Sequence, residues 1–208
     1  MITMRSFVRT LLLLIGTLGV VACNPAEMTE EQLRVATPEE MTKQCQKGNA
    51  PACVLLGIMY DNGEGVTQDD FKAVELYRQA CDGKNARGCT NLGVMYSKGK
   101  GVTQDDFKAV ELYRQACDGK DANGCFNLGM MYEDGKGVKQ DDFKAAEFYR
   151  KSCDGRNEFG CNNLGVMYEF GTGVRQSRED ALTFYGKACD LKNEKGCTNY
   201  ARLKTGKR

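Results

Sequence analysis

The sequence has no histidine and no tryptophan, and only three prolines among its 208 residues. Histidine is the side chain that most often acts as a general base at neutral pH and as a metal ligand. Its absence removes the usual starting point for many catalytic and metal sites. Net charge is also nearly absent, because 29 Lys and Arg residues balance 28 Asp and Glu residues. Since nucleic acids attract proteins through clustered positive charge, this composition predicts no nucleic-acid partner.

Cysteine, by contrast, is abundant and regularly spaced. Ten of the 11 cysteines form pairs whose members lie eight residues apart, and the pairs recur every 36 residues. The pairs are Cys45–Cys53, Cys81–Cys89, Cys117–Cys125, Cys153–Cys161 and Cys189–Cys197. A fixed period of this length is typical of repeat proteins. Because each pair recurs as a unit, we predict five disulfides, each within its own pair.

The unpaired cysteine, Cys23, follows a segment of the export type. Arg5 and Arg9 precede an apolar run that is shorter than the ~20 residues needed to span a bilayer. The sequence Val20-Val21-Ala22-Cys23 resembles the lipobox of bacterial lipoproteins, which implies that Cys23 carries the lipid. The alternative is an ordinary signal peptide, an incidental cysteine and a secreted product.

These features predict three parts: a signal peptide (1–22), a lipidated N-terminus and linker (23–37) and a repeat domain (38–208). The predicted location is the cell envelope, at the outer membrane or in the periplasm, with the membrane contacted through the lipid anchor. Disulfides form in such oxidising compartments, which agrees with the predicted pairing.

Each 36-residue unit has the pattern of two antiparallel helices. In the second unit, apolar residues recur at helical spacing from Cys89 to Tyr96, and Gly99 and Gly101 end that helix. The segment Thr103-Gln104-Asp105-Asp106 then predicts the start of a second helix. A glycine recurs inside the first helix and predicts close contact between helices, at Gly57, Gly93, Gly129 and Gly165.

The predicted fold is therefore all-α. We expect a right-handed α-α superhelical solenoid of about four 36-residue helix-turn-helix units, with half-units at both ends and a disulfide at each turn between units. The predicted units are 49–84, 85–120, 121–156 and 157–192, followed by a final helix at 193–204.

The recurring line L-G-x-M-Y-x-x-G-x-G-V, as at Leu92-Gly93, Tyr96 and Gly99, resembles the Sel-one-like repeat, a relative of the tetratricopeptide repeat. The C-x7-C pairs narrow the resemblance to the Helicobacter cysteine-rich proteins, which are exported and carry a disulfide in each repeat. The resemblance covers residues 38–208. It implies a repeat scaffold, and also penicillin binding with weak β-lactamase activity.

The sequence contains the residue spacing of two serine β-lactamase motifs, but not the secondary structure that those motifs need. Ser97 and Lys100 have S-x-x-K spacing, and Lys204-Thr205-Gly206 reads K-T-G. In those enzymes the serine begins a helix and K-T-G lies on a strand, whereas Ser97 ends a predicted helix and no strand is predicted here. The C-x7-C spacing is also too wide for typical zinc ligands. We therefore predict no catalytic residue, no metal site and no cofactor.

Candidate binding residues lie on the first helices, which line the concave face of helical arrays. One asparagine recurs two residues after a cysteine, at Asn91, Asn127, Asn163 and Asn199. Asparagine both donates and accepts hydrogen bonds, and the resemblance to tetratricopeptide arrays implies that these residues grip an extended peptide. The alternative is that they are solvated or bonded to another helix. Three phenylalanines that break the repeat are further candidates: Phe126, Phe159 and Phe170.

Three functions are compatible with these patterns. The leading hypothesis is an exported repeat scaffold that binds a protein or peptide of the envelope or of a host. The second, which rests on the resemblance alone, is a penicillin-binding protein that acts weakly on β-lactams. The third is a structural spacer in the envelope.

Overall fold

The structure is a computed structural model that describes residues 28–206, and within them it contains 11 helices and no β-strand. The all-α prediction is confirmed. The helices are α1 Glu30–Leu33, α2 Pro38–Gln46, α3 Ala50–Asn62, α4 Asp70–Asp82, α5 Ala86–Lys98, α6 Asp106–Asp118, α7 Ala122–Asp134, α8 Asp142–Asp154, α9 Glu158–Phe170, α10 Arg178–Asp190 and α11 Glu194–Thr205.

Polar caps set where each helix begins. In the second unit, the side chain of Asn85 accepts a hydrogen bond from the backbone N–H of Gly88 and so caps α5. The helix ends at Gly99, whose φ of 65° is left-handed and favours glycine. Asp105 then caps α6 by accepting from the backbone N–H of Lys108, so this helix begins at Asp106. The same sequence of caps explains why every unit is two helices of similar length.

Within a unit, the two helices approach each other where the recurrent glycine faces a buried tyrosine. A Cβ at Gly93 would lie 2.6 Å from Cε1 of Tyr113, and a Cβ at Gly129 would lie 2.7 Å from Cδ1 of Tyr149. The predicted close contact between helices is therefore present, and the tyrosine is its partner. In α11, the last helix of the described residues, the equivalent residue is the exposed Ala201. The glycine is thus needed because the tyrosine of the second helix packs against it, and not because the first helix needs a glycine to form.

The units stack into a solenoid with the first helices on the inside. First helices of neighbouring units pack together at α3–α5, α5–α7 and α9–α11, whereas no pair of neighbouring second helices packs to this extent. The fourth pair of first helices, α7–α9, packs less closely than the other three. Closer packing of the first helices places them on the concave face.

Each turn between units carries one of the predicted cysteine pairs. All five pairs lie at S–S bonding distance, with Cα–Cα separations of 4.4–4.8 Å. Disulfides persist in oxidising compartments, so five of them indicate an exported protein.

The N-terminal end differs from the sequence-based expectation of a linker up to residue 37. Residues 30–33 form the short helix α1, and Leu33 is fully buried against the first unit. The Nδ2 of Asn49 also donates to the backbone carbonyl of Met28 at 2.9 Å. Residues 28–36 therefore pack on the first unit of the solenoid, where Leu33 joins its apolar cluster.

The predicted signal peptide and Cys23 lie outside the described residues. Within residues 28–206, none of the helices combines the length and the apolar character that a membrane crossing requires.

Candidate functional site

The candidate site is built from one stripe of side chains on each first helix. Each first helix has one buried face, and on α5 the accessible residues Arg87, Asn91, Val94 and Lys98 recur along a single stripe. Their spacing of i, i+4, i+7 and i+11 places them on one face of the helix. The opposite face packs on α6, so the stripe faces the concave side. We call these four positions, on all five first helices, the inner stripe.

The inner stripe has a different composition on each helix. Its first position is Pro51, Arg87, Asn123, Phe159 and Lys195 along the five helices. Its second position is Leu55, Asn91, Asn127, Asn163 and Asn199. Its third position is Ile58, Val94, Met130, Val166 and Arg202, and its fourth is Asn62, Lys98, Asp134, Phe170 and Gly206. The predicted asparagines therefore share one position on this face.

The four asparagines fall into two classes. The Nδ2 of Asn199 donates to Oδ1 of Asn162 at 3.1 Å, and the Nδ2 of Asn162 donates to Oδ1 of Asn163 at 3.4 Å. Asn163 and Asn199 thus belong to a network between helices. The side chains of Asn91 and Asn127 have no hydrogen-bond partner among residues 28–206 and are only half-buried. These two amides are free to bind a ligand. The four asparagines therefore include both amides available to a peptide and amides bonded to another helix, the two alternatives drawn from the sequence.

The three candidate phenylalanines do not form one patch. Phe159 and Phe170 occupy the first and last stripe positions of α9 and are 51% and 67% exposed. They are 11 residues apart, which corresponds to about 16 Å along a helix. Phe126, which is half-buried, lies with its ring centroid 5.9 Å from that of Phe159 and 5.8 Å from that of Tyr149. Phe126 and Phe159 therefore form an aromatic platform, and Phe170 stands apart from it.

Positive charge on the inner stripe is the feature that sequence reasoning missed. Arg87, Lys98 and Lys195 are exposed, and none forms an ion pair with another described residue. The acidic side chain of the stripe, Asp134, is paired with Lys136 at 2.8 Å. The near-zero net charge of the chain conceals this local excess, because the compensating carboxylates lie elsewhere. The local excess of positive charge is visible when charged residues are compared at equivalent positions of the repeats.

Arg202, the remaining cation of the stripe, is bound within the protein. It contacts Oε2 of Glu169 at 2.7 Å, and Tyr185 donates to the same oxygen at 2.7 Å. The hydrogen bond from Arg202 is the main reason that the pKa of Glu169 lies below its usual value. Glu169 thus stays ionised and joins α11 to α9, which is a structural role.

Ser97 occupies a structural position that recurs in every complete unit. Buried tyrosines hydrogen-bond to the residue at this position, as Tyr77 does to Asp61, Tyr149 to Glu133 and Tyr185 to Glu169. In the second unit the partner is Ser97, and its hydrogen bond partly offsets the burial that raises the pKa of Tyr113 to about 12. Ser97 therefore substitutes for a carboxylate next to a core tyrosine.

Lys100 is likewise unsuited to activate a serine. It lies between Gly99 and Gly101, where its Nζ contacts the carboxylate of Asp61 and lies 3.2 Å from Oδ1 of Asp70. The hydrogen bond to Asp61 is the main reason that the pKa of Lys100 is raised. A lysine that acts as a general base needs a lowered pKa, so S-x-x-K chemistry is not assembled here.

The two remaining predictions concern the K-T-G motif and metal binding. Lys204 and Thr205 end helix α11, and Gly206 caps it, so this motif is helical rather than extended. Among residues 28–206, no cluster of Cys, Asp and Glu side chains is arranged to hold a metal ion.

Solved structures with this fold include two relatives above 30% identity. A protective antigen present in uropathogenic Escherichia coli strains, displaying an SLR fold, is 34% identical over 79% of this chain with a TM-score of 0.74. This chain spans only 35% of that antigen. Helicobacter pylori cysteine rich protein B is 36% identical, covers 66% of this chain and 98% of its own, and has a TM-score of 0.52. The resemblance to the Helicobacter proteins is confirmed.

A more distant neighbour shows the same fold. A Sel1 repeat protein from Oxalobacter formigenes is 24% identical, with 82% of this chain and 68% of its own covered and a TM-score of 0.75. No curated protein sequence matches the chain significantly.

The family itself is identified from the sequence. The family model of the Sel1 repeat matches residues 50–85, 86–121, 122–157 and 159–193, which is more than half of the chain. Proteins with this repeat are scaffolds that typically bind other proteins. This chain belongs to the Sel1 repeat family.

Proposed function

We propose that this protein is an exported Sel1 repeat scaffold, held in the cell envelope by a lipid on Cys23, that binds an extended peptide segment of a partner protein on its concave face. The partner belongs to the envelope or to a host. The observation that carries the proposal is the pair of free amides, Asn91 and Asn127, at one position of successive first helices.

The spacing of these amides suits an extended chain. Packed helices lie about 8–10 Å apart, and an extended peptide advances about 3.3 Å per residue. Asn91 and Asn127 would therefore meet about every third residue of the peptide. Each amide can donate to a backbone carbonyl and accept from a backbone N–H, which permits binding that depends on backbone conformation.

Replacement of both free asparagines tests peptide binding. Peptides selected from a synthetic library of 12-residue peptides on the wild-type protein are expected to bind the Asn91→Ala/Asn127→Ala variant roughly 30-fold more weakly, since each of the two lost hydrogen bonds contributes about 1 kcal/mol. Fluorescence anisotropy measures the affinity. Glu111→Ala, which removes an exposed polar side chain from α6 on the outer side, serves as the matched control.

Two outcomes would contradict this site. Equal affinity of the double variant and the wild type would show that peptides bind elsewhere. A library that yields no bound peptide would favour the structural-spacer function over the binding function.

The lipid anchor is tested on Cys23. Wild-type protein expressed in bacteria is expected to incorporate labelled palmitate and to fractionate with membranes, because a lipobox directs acylation to the cysteine. Cys23→Ser is expected to lose both properties, since one or more acyl chains supply the membrane affinity. Cys117→Ser is the control, because Cys117 is paired with Cys125. Label that persists in Cys23→Ser, or wild-type protein released in soluble form, would refute the anchor.

A further inference from the structure

The junction between the third and fourth units carries an aromatic contact between its two first helices. The pair α7–α9 packs less closely than the three other neighbouring pairs of first helices. Phe126 occupies the position held by Thr90 in the second unit and Asn162 in the fourth, and its ring lies against Phe159 and Tyr149. Phe126 thereby supports Phe159 from beneath, and half of Phe159 remains exposed.

Unpaired cations lie on both sides of this platform along the first stripe position. Arg87 is two helices away on one side, and Lys195 is one helix away on the other. Between Arg87 and Phe159 lies Asn123, which accepts a hydrogen bond from Asn157. Across the concave face, the first position therefore runs cation, amide, aromatic ring, cation.

Acidic side chains close to this position face another direction. Glu158 and Glu194 directly precede Phe159 and Lys195 in the sequence. They occupy the repeat position of Ala86, which packs against Gly119 at the turn between units. Their position is therefore on the side of the second helices. Glu30 lines the same cavity as Arg87, and Asp121 accepts a hydrogen bond from Thr90, but among the described residues neither forms an ion pair with a cation of the inner stripe.

We propose that the peptide bound on the concave face is acidic and places one aromatic side chain on the platform of Phe126 and Phe159, with carboxylates toward Arg87 and Lys195. This inference rests on the proposed function and specifies the chemistry of its ligand. The attraction comes from two unpaired cations and from a ring that prefers to bury its exposed face against another ring.

The helix spacing converts this arrangement into a sequence pattern for the ligand. Neighbouring helices at 8–10 Å and 3.3 Å per extended residue give about three residues per helix. An acidic residue should therefore lie about three positions from the aromatic residue on the Lys195 side, and another about six positions away on the Arg87 side. Because an amide donates and accepts in both chain directions, the pattern holds for either orientation of the peptide.

The test uses the synthetic 12-residue library and single peptides selected from it. Bound peptides are expected to be enriched in Asp or Glu at these distances from a Phe, Tyr or Trp. Phe159→Ala is expected to weaken binding roughly tenfold, as removal of a central aromatic contact commonly does. The matched control is Phe107→Ala, which removes a phenylalanine that is 75% exposed on the outer side of the solenoid.

Charge is tested separately. Arg87→Glu is expected to weaken binding of acidic peptides roughly tenfold, and the loss should shrink in high salt because exposed charges are screened. Lys43→Glu on α2 is the control, since Lys43 is exposed and outside the inner stripe. Circular dichroism confirms that each variant is folded.

The outcomes separate this inference from the proposed function. Peptides that require Asn91 and Asn127 but show no acidic or aromatic enrichment would overturn the inference alone. Unchanged affinity in Phe159→Ala, or selection of basic peptides, would do the same. A library without any bound peptide would overturn both.

Discussion

Reduction of the five disulfides is expected to unfold the solenoid. Each bridge joins cysteines eight residues apart, and a loop of about nine residues stabilises by roughly 2.5 kcal/mol in the chain-entropy model. The five loops are separate in sequence, so their contributions add to roughly 12 kcal/mol. Folded domains are typically stable by only about 5–15 kcal/mol, so the bridges supply most of the available stability.

The measurement is urea unfolding followed by circular dichroism, with and without a reductant. Removal of one bridge, in Cys117→Ala/Cys125→Ala, is expected to lower the free energy of unfolding by about 2–3 kcal/mol, and full reduction should abolish the cooperative transition. Alkylation before reduction is the control, and mass spectrometry should find none of the ten paired cysteines modified. A reduced protein that unfolds at the same urea concentration as the oxidised one would show that the bridges are dispensable.

Substitution of Gly129 by alanine is expected to destabilise the protein by about 1–3 kcal/mol, the usual cost of overpacking a core. A Cβ at this position would lie 2.7 Å from Cδ1 of Tyr149. The tyrosine has little room to move, because its ring is fully buried and its hydroxyl donates to Glu133. The steric cost therefore exceeds the gain of about 1 kcal/mol that alanine offers over glycine inside a helix.

Gly186→Ala is the matched control, because it makes the same change inside helix α10. The nearest atom to a Cβ there belongs to Tyr200 at 3.6 Å, an ordinary contact. We expect this variant to gain about 0.5–1 kcal/mol from helix propensity. The midpoint of urea unfolding distinguishes the two. A Gly129→Ala protein as stable as the wild type would show that Tyr149 moves aside.

The helices and the cysteine pairs could be predicted because their determinants are local. The cap at Asn85, the left-handed Gly99 and the cap at Asp105 all act within a few residues of the helix they bound. Partners in each disulfide are only eight residues apart. The repetition of these signals every 36 residues made each one stronger than a single occurrence would be.

One departure from the repeat falls at a contact that only the structure revealed. Leu191 stands where the other units have glycine, and the structure shows why glycine recurs there: a Cβ at Gly119 would lie 2.7 Å from that of Ala86. In the fourth unit the residue opposite is Glu158 rather than alanine, and Leu191 packs against the core. Both positions of this repeated pair therefore hold larger residues in the fourth unit.

The N-terminal segment could not be predicted, because its fold depends on a contact distant in sequence. Residues 28–36 are mostly polar and resemble a linker in composition. Only Leu33 is fully buried, and it packs against apolar residues of the first unit. A single buried leucine is too weak a sequence signal to distinguish a cap from a tether.

The sequence by itself determined the repeat length, the all-α fold, the cysteine pairs and the shared position of four asparagines, because these follow from contacts within one unit. Only the tertiary structure decided which asparagines are free. Asn163 and Asn199 are engaged through Asn162, whereas the equivalent residues beside Asn91 and Asn127 are Thr90 and Phe126. It also decided that Phe159 rests on Phe126 and that Arg87 and Lys195 form no ion pair within residues 28–206. These properties depend on contacts between side chains of neighbouring units. The residue spacing within one repeat does not specify those contacts.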